Sequence, residues 1–267
     1  MTYEFDAHRT LGELEQWVHT MMHRTGGNKA VVGISGGKDS SVTATLMVRC
    51  LGTDNVIGIL MPDGHQTDIE YSRGIVDHLG IASDTVDIAP MTTAFLSALT
   101  RSPLISEASR QTRLNLPPRV RMTLLYAIAQ SLEDARVINT SNLSEDWVGY
   151  ATVYGDTAGA FAPLGMLTTA EVIAIGRVMG VPEQFLVKPP SDGLTGRTDE
   201  DVLGFRYETL NDYLRKGVLP GEELLRRIDD LHRLSRFKFE QIPMFDPHLP
   251  IRAKQVGQTY PSTLSVT

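Results

Sequence analysis

The stretch that most constrains the fold is residues 31–41, with the sequence Val-Val-Gly-Ile-Ser-Gly-Gly-Lys-Asp-Ser-Ser. An apolar run of strand character stops at Ser35, and an apolar pattern typical of a helix starts at Val42; together they predict a strand, a tight loop and a helix. Two adjacent glycines, Gly36 and Gly37, allow a sharp turn that brings backbone N–H groups against an anion at the helix N-terminus. The stretch therefore predicts a phosphate-binding loop in an α/β fold.

This loop differs from a Walker A loop, which needs Gly and Ser or Thr at the positions that hold Val32 and Asp39 here. A carboxylate among phosphate-binding donors would repel the phosphate unless a cation lay between them. Asp39 therefore indicates Mg²⁺ bridging to the pyrophosphate part of ATP. The alternative interpretation is an ordinary strand-to-helix turn with a serine cap. Ser-Gly-Gly-Lys-Asp-Ser resembles the PP-loop of the N-type ATP pyrophosphatases, which cleave ATP between its α and β phosphates.

Length and composition favour one large α/β domain over residues 1–267. A hydrophobic content of 42% over 267 residues is enough for a sizeable core. The net charge of −7 argues against a nucleic-acid partner, and the single cysteine, Cys50, excludes an intrachain disulfide or a cysteine zinc cluster. Neither a signal peptide nor a membrane-spanning run is recognisable, so we expect a cytoplasmic protein with no membrane partner.

Apolar strands alternate with amphipathic helices, which predicts a doubly wound, mostly parallel sheet with flanking helices. Such sheets bind ligands at the carboxyl ends of their strands, where the PP-loop falls. Residues 92–118 look irregular, because Pro117 and Pro118 indicate a break before a helix at 119–132. Thr168 and Glu171 predict a capping box at the start of a later helix. The expected strands are 31–34, 55–62, 83–88 and 136–140, and the expected tail at 240–267 is irregular.

Further motifs follow the PP-loop along the chain. Taken together, the matches run in order from about residue 10 to 240. In this respect the chain resembles the ammonia-dependent NAD synthetases, whose pattern includes Asn-x-x-x-Arg-x-Arg-Met and a Thr-Lys-Tyr-Gly-Asp segment. The matching segments are 115–122 (Asn-Leu-Pro-Pro-Arg-Val-Arg-Met), 140–145 (Thr-Ser-Asn-Leu-Ser-Glu), 149–156 (Gly-Tyr-Ala-Thr-Val-Tyr-Gly-Asp), 188–191 (Lys-Pro-Pro-Ser) and 198–200 (Thr-Asp-Glu), with Gly204 and Tyr207 after them.

The resemblance implies roles for individual residues. Asp39 and Glu145 would hold Mg²⁺ and serve catalysis, although Glu145 alone could also be an acidic residue favoured by the dipole of a helix N-terminus. Arg119 matches the family arginine that contacts the dinucleotide substrate, and Lys238 is also expected to bind the substrate. The ATP contacts implied are Gly33, Ile34, Ser35, Gly36, Gly37, Lys38, Asp39, Ser40, Ser41, Thr140, Thr169 and Ser191.

Several charged family residues are replaced in this chain. Val153 and Ala160 stand where the family has a lysine and an aspartate that contact the substrate, and Thr169 stands for a lysine associated with ATP. Phe237 replaces the histidine of a His-Lys-Arg run of which Lys238 remains. Losing one partner of a buried charge contact typically costs a few kcal/mol. These differences favour a substrate other than deamido-NAD.

The chemistry implied is a two-step amide synthesis with ATP and Mg²⁺. A substrate carboxylate displaces pyrophosphate from ATP to form an acyl-adenylate, and ammonia then displaces AMP. The main expectation is an NAD synthetase-like ligase acting on another carboxylate in a specialised pathway. A genuine ammonia-dependent NAD synthetase and a non-catalytic nucleotide-binding regulator are the alternatives. The resemblance also implies a homodimer, with ammonia arriving free or from a separate glutaminase.

Overall fold

A parallel β-sheet forms the centre of the protein in the computed structural model, which describes residues 3–187 and 199–249. Within this part of the chain, four parallel strands lie in the order β3-β2-β1-β4. The order reverses between β1 and β4, and at such a point the loops that leave two neighbouring strands diverge and open a crevice. The strands are β1 (Lys29–Gly33), β2 (Val56–Leu60), β3 (Ala82–Thr85) and β4 (Ala135–Val137).

Helices cover the sheet, and the helices of the carboxyl-terminal part of the described chain pack against one another around a separate apolar cluster. None of the described helices is both long enough and apolar enough to cross a membrane. The helices are α1 (Ala7–Thr25), α2 (Lys38–Leu51), α3 (Ile69–Leu79), α4 (Ala89–Thr100), α5 (Arg110–Ser131), α6 (Leu143–Trp147), α7 (Thr169–Val178), α8 (Glu183–Leu186), α9 (Asp199–Leu203), α10 (Tyr207–Lys216) and α11 (Glu222–Ser235).

Most residues of β1, β2 and β4 are apolar because both faces of the sheet are covered there. Strand β3, at the end of the strand order, is exposed and mostly polar. One face packs against α1, α2 and α7 through residues such as Val32, Leu46 and Ile175. On the other, Val31 and Val137 pack against Val120 of α5. A separate apolar cluster joins α6 to the last helices. The α/β sheet predicted from the sequence is confirmed.

The region around the proline pair differs from the prediction. Residues 92–118 were expected to be irregular, but most of α4 and the start of α5 lie there, and α5 runs without interruption through Pro117 and Pro118. Pro117 is buried, and apolar α5 residues pack against β1 and β4. Proline is unfavourable inside a helix, but here tertiary packing outweighs that local preference.

Two helix starts agree with their local sequence signals. The capping box at α7 is present, because Thr168 and Glu171 each bond the other's backbone N–H. Helix α6 begins after Asn142, whose side chain accepts the Glu145 N–H at 3.1 Å. Residues 240–249 carry no helix or strand. The rest of the expected tail, and Ser191, lie outside the described residues.

Candidate active site

The PP-loop joins β1 to α2 in a conformation that only glycine permits at one position. Gly36 has a φ of +75°, and a Cβ added there would lie 2.5 Å from the backbone nitrogen of Ser72. Ser35 and Ser40 tie the loop together, with their hydroxyl oxygens 3.1 Å apart. Gly37 caps α2 without a side-chain hydrogen bond. The N-terminus of α2 is thus presented to an anion by a closely fitted loop.

A cavity of about 160 Å³ lies at the reversal point of the sheet, between the PP-loop and the segment after β4. Small-molecule pockets are typically about 300–1,000 Å³, so this cavity can enclose only part of a nucleotide. Its position and its hydroxyl-rich wall suit the phosphate end. The lining residues are Ser35, Asp39, Ser40, Thr140, Ser141, Glu145, Tyr150, Ala151 and Asp156.

Two carboxylates from different segments meet one ammonium group at this cavity. The Lys38 Nζ donates to Asp39 Oδ2 at 2.8 Å and to Glu145 Oε1 at 3.4 Å. Burial of Lys38 acts to lower its pKa, but the charges of Asp39 and Glu145 outweigh it, so the pKa is raised. Lys38 is therefore a cation in this site, and it shows that both carboxylates can face one positive charge.

Asn142 links the two carboxylates and had no role assigned from the sequence. Its carbonyl oxygen caps α6 at the Glu145 N–H, and its amide nitrogen donates to Asp39 Oδ1 at 3.1 Å. The side chain is fully buried. Asn three residues before an acidic residue is a recognisable helix start, so the cap was readable, whereas the bond to Asp39 depends on the tertiary fold.

Two further acidic side chains, Asp146 and Asp156, lie near the cavity, and both have raised pKa values. Burial, assisted by the nearby Asp156 and Asp39 charges, raises the pKa of Asp146 to about 7, although Arg236 opposes the shift. Burial also raises the pKa of Asp156, against hydrogen bonds that include one from the Thr152 N–H at 2.6 Å. The sequence motif contains Asp156, but sequence reasoning gave it no role.

The cationic residues expected at the substrate end bond main-chain carbonyls of one loop. Lys238 Nζ donates to the Gly149 and Ala151 oxygens at 2.8 and 2.9 Å, and Arg119 Nε donates to the Val153 oxygen at 3.2 Å. These bonds fix the backbone of residues 149–153, which forms one wall of the cavity. Both residues therefore position this loop in the structure.

Comparison with known proteins places this arrangement in a family. The sequence profile described as NAD synthase matches residues 10–242. The chain belongs to the NAD synthase family. It is 37% identical over 251 residues to an NH₃-dependent NAD⁺ synthetase of Hyperthermus butylicus, covering 88% of this chain and 89% of that one. Identity is 42% over 196 residues with the synthetase of Methanosarcina mazei, covering 72% and 75% of the two chains.

Solved structures of related proteins have the same fold. The NMN synthetase from Francisella tularensis superposes with a TM-score of 0.82 at 30% identity, covering 91% of this chain and 100% of that one. For the NH₃-dependent NAD synthetase from Campylobacter jejuni the TM-score is 0.71 at 27% identity, with coverages of 91% and 100%. Both relatives are thus matched along essentially their whole length.

Membership of the NAD synthase family identifies the protein as an AMP-forming carbon–nitrogen ligase that makes an amide and uses ATP and Mg²⁺. Asp39 and Glu145 suit such a metal, because they already surround one cation. Across residues 3–187 and 199–249, no three His, Cys, Asp or Glu side chains converge on a possible metal site. Mg²⁺ commonly takes only one or two carboxylates and completes its shell with water and substrate phosphates, which fits this donor set.

The residues that replace family charges lie in different surroundings. Phe237 is 65% exposed, and Ala160 is exposed beside the edge of β4. Thr169 is buried, and its hydroxyl accepts a hydrogen bond from Asn211 at 2.9 Å. Its backbone N–H donates to Ser144, next to Glu145. In this structure Thr169 packs behind the cavity and does not line it.

Proposed function

We propose that this protein is an ammonia-dependent NAD synthetase, converting deamido-NAD to NAD. The convergence of Asp39 and Glu145 on one cation, at the mouth of a PP-loop, carries the proposal. The reading agrees with the names of the relatives described above, at 37% and 42% identity. It differs from the main sequence-based expectation of another carboxylate, which the relatives do not support.

In the proposed reaction the protein positions charge and supplies no nucleophile. The PP-loop N–H groups and the Ser40 hydroxyl would hold the ATP phosphates, and Thr140 and Ser191 would contact the nucleotide. Asp39 and Glu145 would hold Mg²⁺, which neutralises the charge that develops on the departing pyrophosphate. The loop at 149–153, fixed by Lys238 and Arg119, would hold the substrate carboxylate in line with the α-phosphorus.

NMN synthesis from nicotinate mononucleotide is the second candidate. Two observations favour it: the TM-score of 0.82 to the Francisella NMN synthetase, and the uncharged residues Val153 and Ala160 at positions where the resemblance implies charged substrate contacts. A mononucleotide lacks the adenylate half of deamido-NAD and so needs fewer contacts. The amide-forming chemistry would be the same.

The deciding experiment compares the two acids. Purified enzyme is given ATP, Mg²⁺ and ammonium with either deamido-NAD or nicotinate mononucleotide, and AMP and amide formation are followed together. A higher kcat/KM for deamido-NAD supports the first proposal, and a higher value for the mononucleotide supports the second. If no AMP forms with either acid, the substrate is another carboxylate. If the protein binds nucleotide but turns over no acid, it is a regulatory protein.

We also propose a homodimer that takes ammonia from solution or from a separate glutaminase. Helix α4 supports the first part, because Phe95 and Met91 on it are 59% and 36% exposed, and such apolar surface is typical of association sites. Light scattering coupled to gel filtration tests the mass. Addition of a glutaminase with glutamine tests whether supplied ammonia is accepted.

A further inference from the structure

Lys38 lies in a place that neither its helix nor its burial favours. It is the first residue of α2, where the helix dipole opposes a positive charge, and its side chain is only 15% exposed. Its Nζ lies 6.0 Å from the centroid of the Tyr207 ring. The two carboxylates that the ammonium contacts account for this position.

The ammonium takes the oxygen atoms that a metal ion would need. Asp39 Oδ1 already accepts a hydrogen bond from Asn142, and Oδ2 accepts from Lys38. Mg²⁺ binds carboxylate oxygens at about 2.0–2.1 Å, so it cannot engage Oδ2 and Glu145 Oε1 while Nζ stays between them. The Mg²⁺ ion and the Lys38 ammonium would also repel each other if both contacted the same two carboxylates. Metal entry therefore requires Lys38 to leave.

A nucleotide bound at the PP-loop would bring another anion close to Lys38. Lys38 directly follows the two glycines of the PP-loop, and its four-carbon stem can rotate. ATP phosphates held by this loop would lie within reach of the displaced ammonium.

We propose that Lys38 is an exchangeable internal counter-ion of the metal site. Without ligands it holds Asp39 and Glu145 in place; when metal and nucleotide bind, it moves to the phosphates and stabilises the pyrophosphate leaving group. The inference rests on the proposed function, because it takes Asp39 and Glu145 as the Mg²⁺ carboxylates. It implies that metal binds weakly to the free enzyme and much more tightly once phosphate has drawn Lys38 away.

Binding of Mn²⁺, used as a paramagnetic substitute for Mg²⁺, tests the exchange without turnover. Free Mn²⁺ is measured by electron paramagnetic resonance, with and without α,β-methylene-ATP, for wild type and for Lys38→Gln. Lys29→Gln removes the same charge in β1, on the other side of the PP-loop from α2, and is the matched control. Without nucleotide, we expect Lys38→Gln to bind Mn²⁺ at least tenfold more tightly than wild type or Lys29→Gln, and to gain less from the analogue.

The outcomes separate the inference from the function. If wild type binds Mn²⁺ with the analogue but Lys38→Gln binds free Mn²⁺ no more tightly, the counter-ion role is wrong and the proposed function stands. If wild type binds Mn²⁺ in neither condition, both are wrong. Lys38→Met keeps the apolar stem near Tyr207 and serves if the Gln variant does not fold. Wild type alone also decides: an analogue that tightens Mn²⁺ binding by less than tenfold overturns the exchange.

Discussion

Two clusters of carboxylates and cations in this protein differ in how the cation contacts its carboxylate partners. At the start of α7, Glu171 is 3% exposed and accepts hydrogen bonds from both ends of the Arg215 guanidinium, at 2.6 and 2.8 Å. Tyr3 and the Thr168 N–H donate to the same carboxylate at 2.5 and 2.7 Å. In the cavity, Asp39 and Glu145 are 18% and 21% exposed and share a single ammonium group.

The difference is whether the cation can be replaced. Arg215 presents a planar fork that matches Glu171 at two points, and the surrounding donors occupy both carboxylate oxygens. Burial acts to raise the pKa of Glu171, but the hydrogen bonds from Arg215, Tyr3 and Thr168 outweigh it and lower the pKa. Lys38 makes one short and one longer contact from a flexible stem. The first cluster is a structural joint, whereas the second is the one in which we propose that a metal ion replaces the ammonium group.

A larger depression of about 480 Å³ adjoins the Glu171 cluster, between residues 3–5 and α10. Size alone would make it the preferred binding site, but the Glu171 carboxylate on its wall is already saturated. The smaller cavity beside the PP-loop is lined by Asp39 and Glu145, whose ammonium partner, Lys38, we propose to be exchangeable. The charged side chains of a cavity are therefore a better guide to the binding site than its volume.

The largest expected effect tests the open cluster. Under the proposed function, Asp39→Asn and Glu145→Gln should each lower AMP formation by about 10³-fold, because each removes charge that would hold Mg²⁺ beside the departing pyrophosphate. ATP–pyrophosphate exchange measures the first step directly. Asp54→Asn, on the exposed turn before β2, removes the same charge away from the cavity and should be fully active. Normal exchange in either cavity variant would show that the carboxylate is not a catalytic metal ligand.

The next effect tests the saturated cluster. Glu171→Gln should lower the free energy of unfolding by about 3 kcal/mol, because the Arg215 charge is left without its partner in a partly buried joint. Urea unfolding measures the loss, and turnover per folded molecule should be unchanged. Glu183→Gln is the matched control, because its ion pair with Arg177 is exposed and should contribute little. Equal stability in both variants would mean that the two carboxylate clusters do not differ as described.

The same joint predicts a pH dependence. The pKa of Glu171 is lowered in the folded protein from an ordinary value of 4.5, so its stabilising contribution is present above that value and is lost as the pH falls towards the folded pKa. The stability difference between wild type and Glu171→Gln should therefore stay constant from pH 7 to about 5.5 and shrink below about 4.5. Urea unfolding across this range measures it. A difference that grew on acidification would have the wrong sign for this joint.

The smallest effect concerns the loop beside the open cluster. Lys238→Met removes two charged hydrogen bonds to the carbonyls of Gly149 and Ala151. Their loss should reduce kcat/KM for the carboxylate substrate about tenfold. The ATP KM should change less, because the PP-loop is untouched. Lys216→Met, at an exposed position in the last turn of α10, is the control. A larger change in the ATP KM would place Lys238 on the nucleotide side.

The sequence predicted the features that depend on neighbours along the chain. The PP-loop lies within residues 31–41, and the α7 capping box needs only Thr168 and Glu171, so local spacing was sufficient. The proline pair misled for the converse reason: its local preference is real, but packing of α5 against the sheet outweighs it.

Contacts between distant segments could not be predicted in the same way. The bond from Asn142 to Asp39 joins the start of α6 to the first turn of α2, and Lys238 donates to main-chain carbonyls, which the side-chain sequence does not reveal. Asp156 also acquires its raised pKa from surroundings assembled only in the fold. Residue types therefore predicted the PP-loop side of the cavity, whereas the opposite wall depends on main-chain atoms.

A buried triangle behind the cavity has a consequence for how the enzyme comes into being on the ribosome. Ser144 donates to Asn211 at 2.6 Å, Asn211 donates to Thr169 at 2.9 Å, and the Thr169 N–H donates back to Ser144 at 3.1 Å. The neighbour of Ser144 is Glu145, so the turn that aims this carboxylate is completed only by a residue translated much later. A nascent chain therefore completes the hydrogen bonds behind Glu145 only after α10 has left the exit tunnel. Release of most of the polypeptide thus precedes activity.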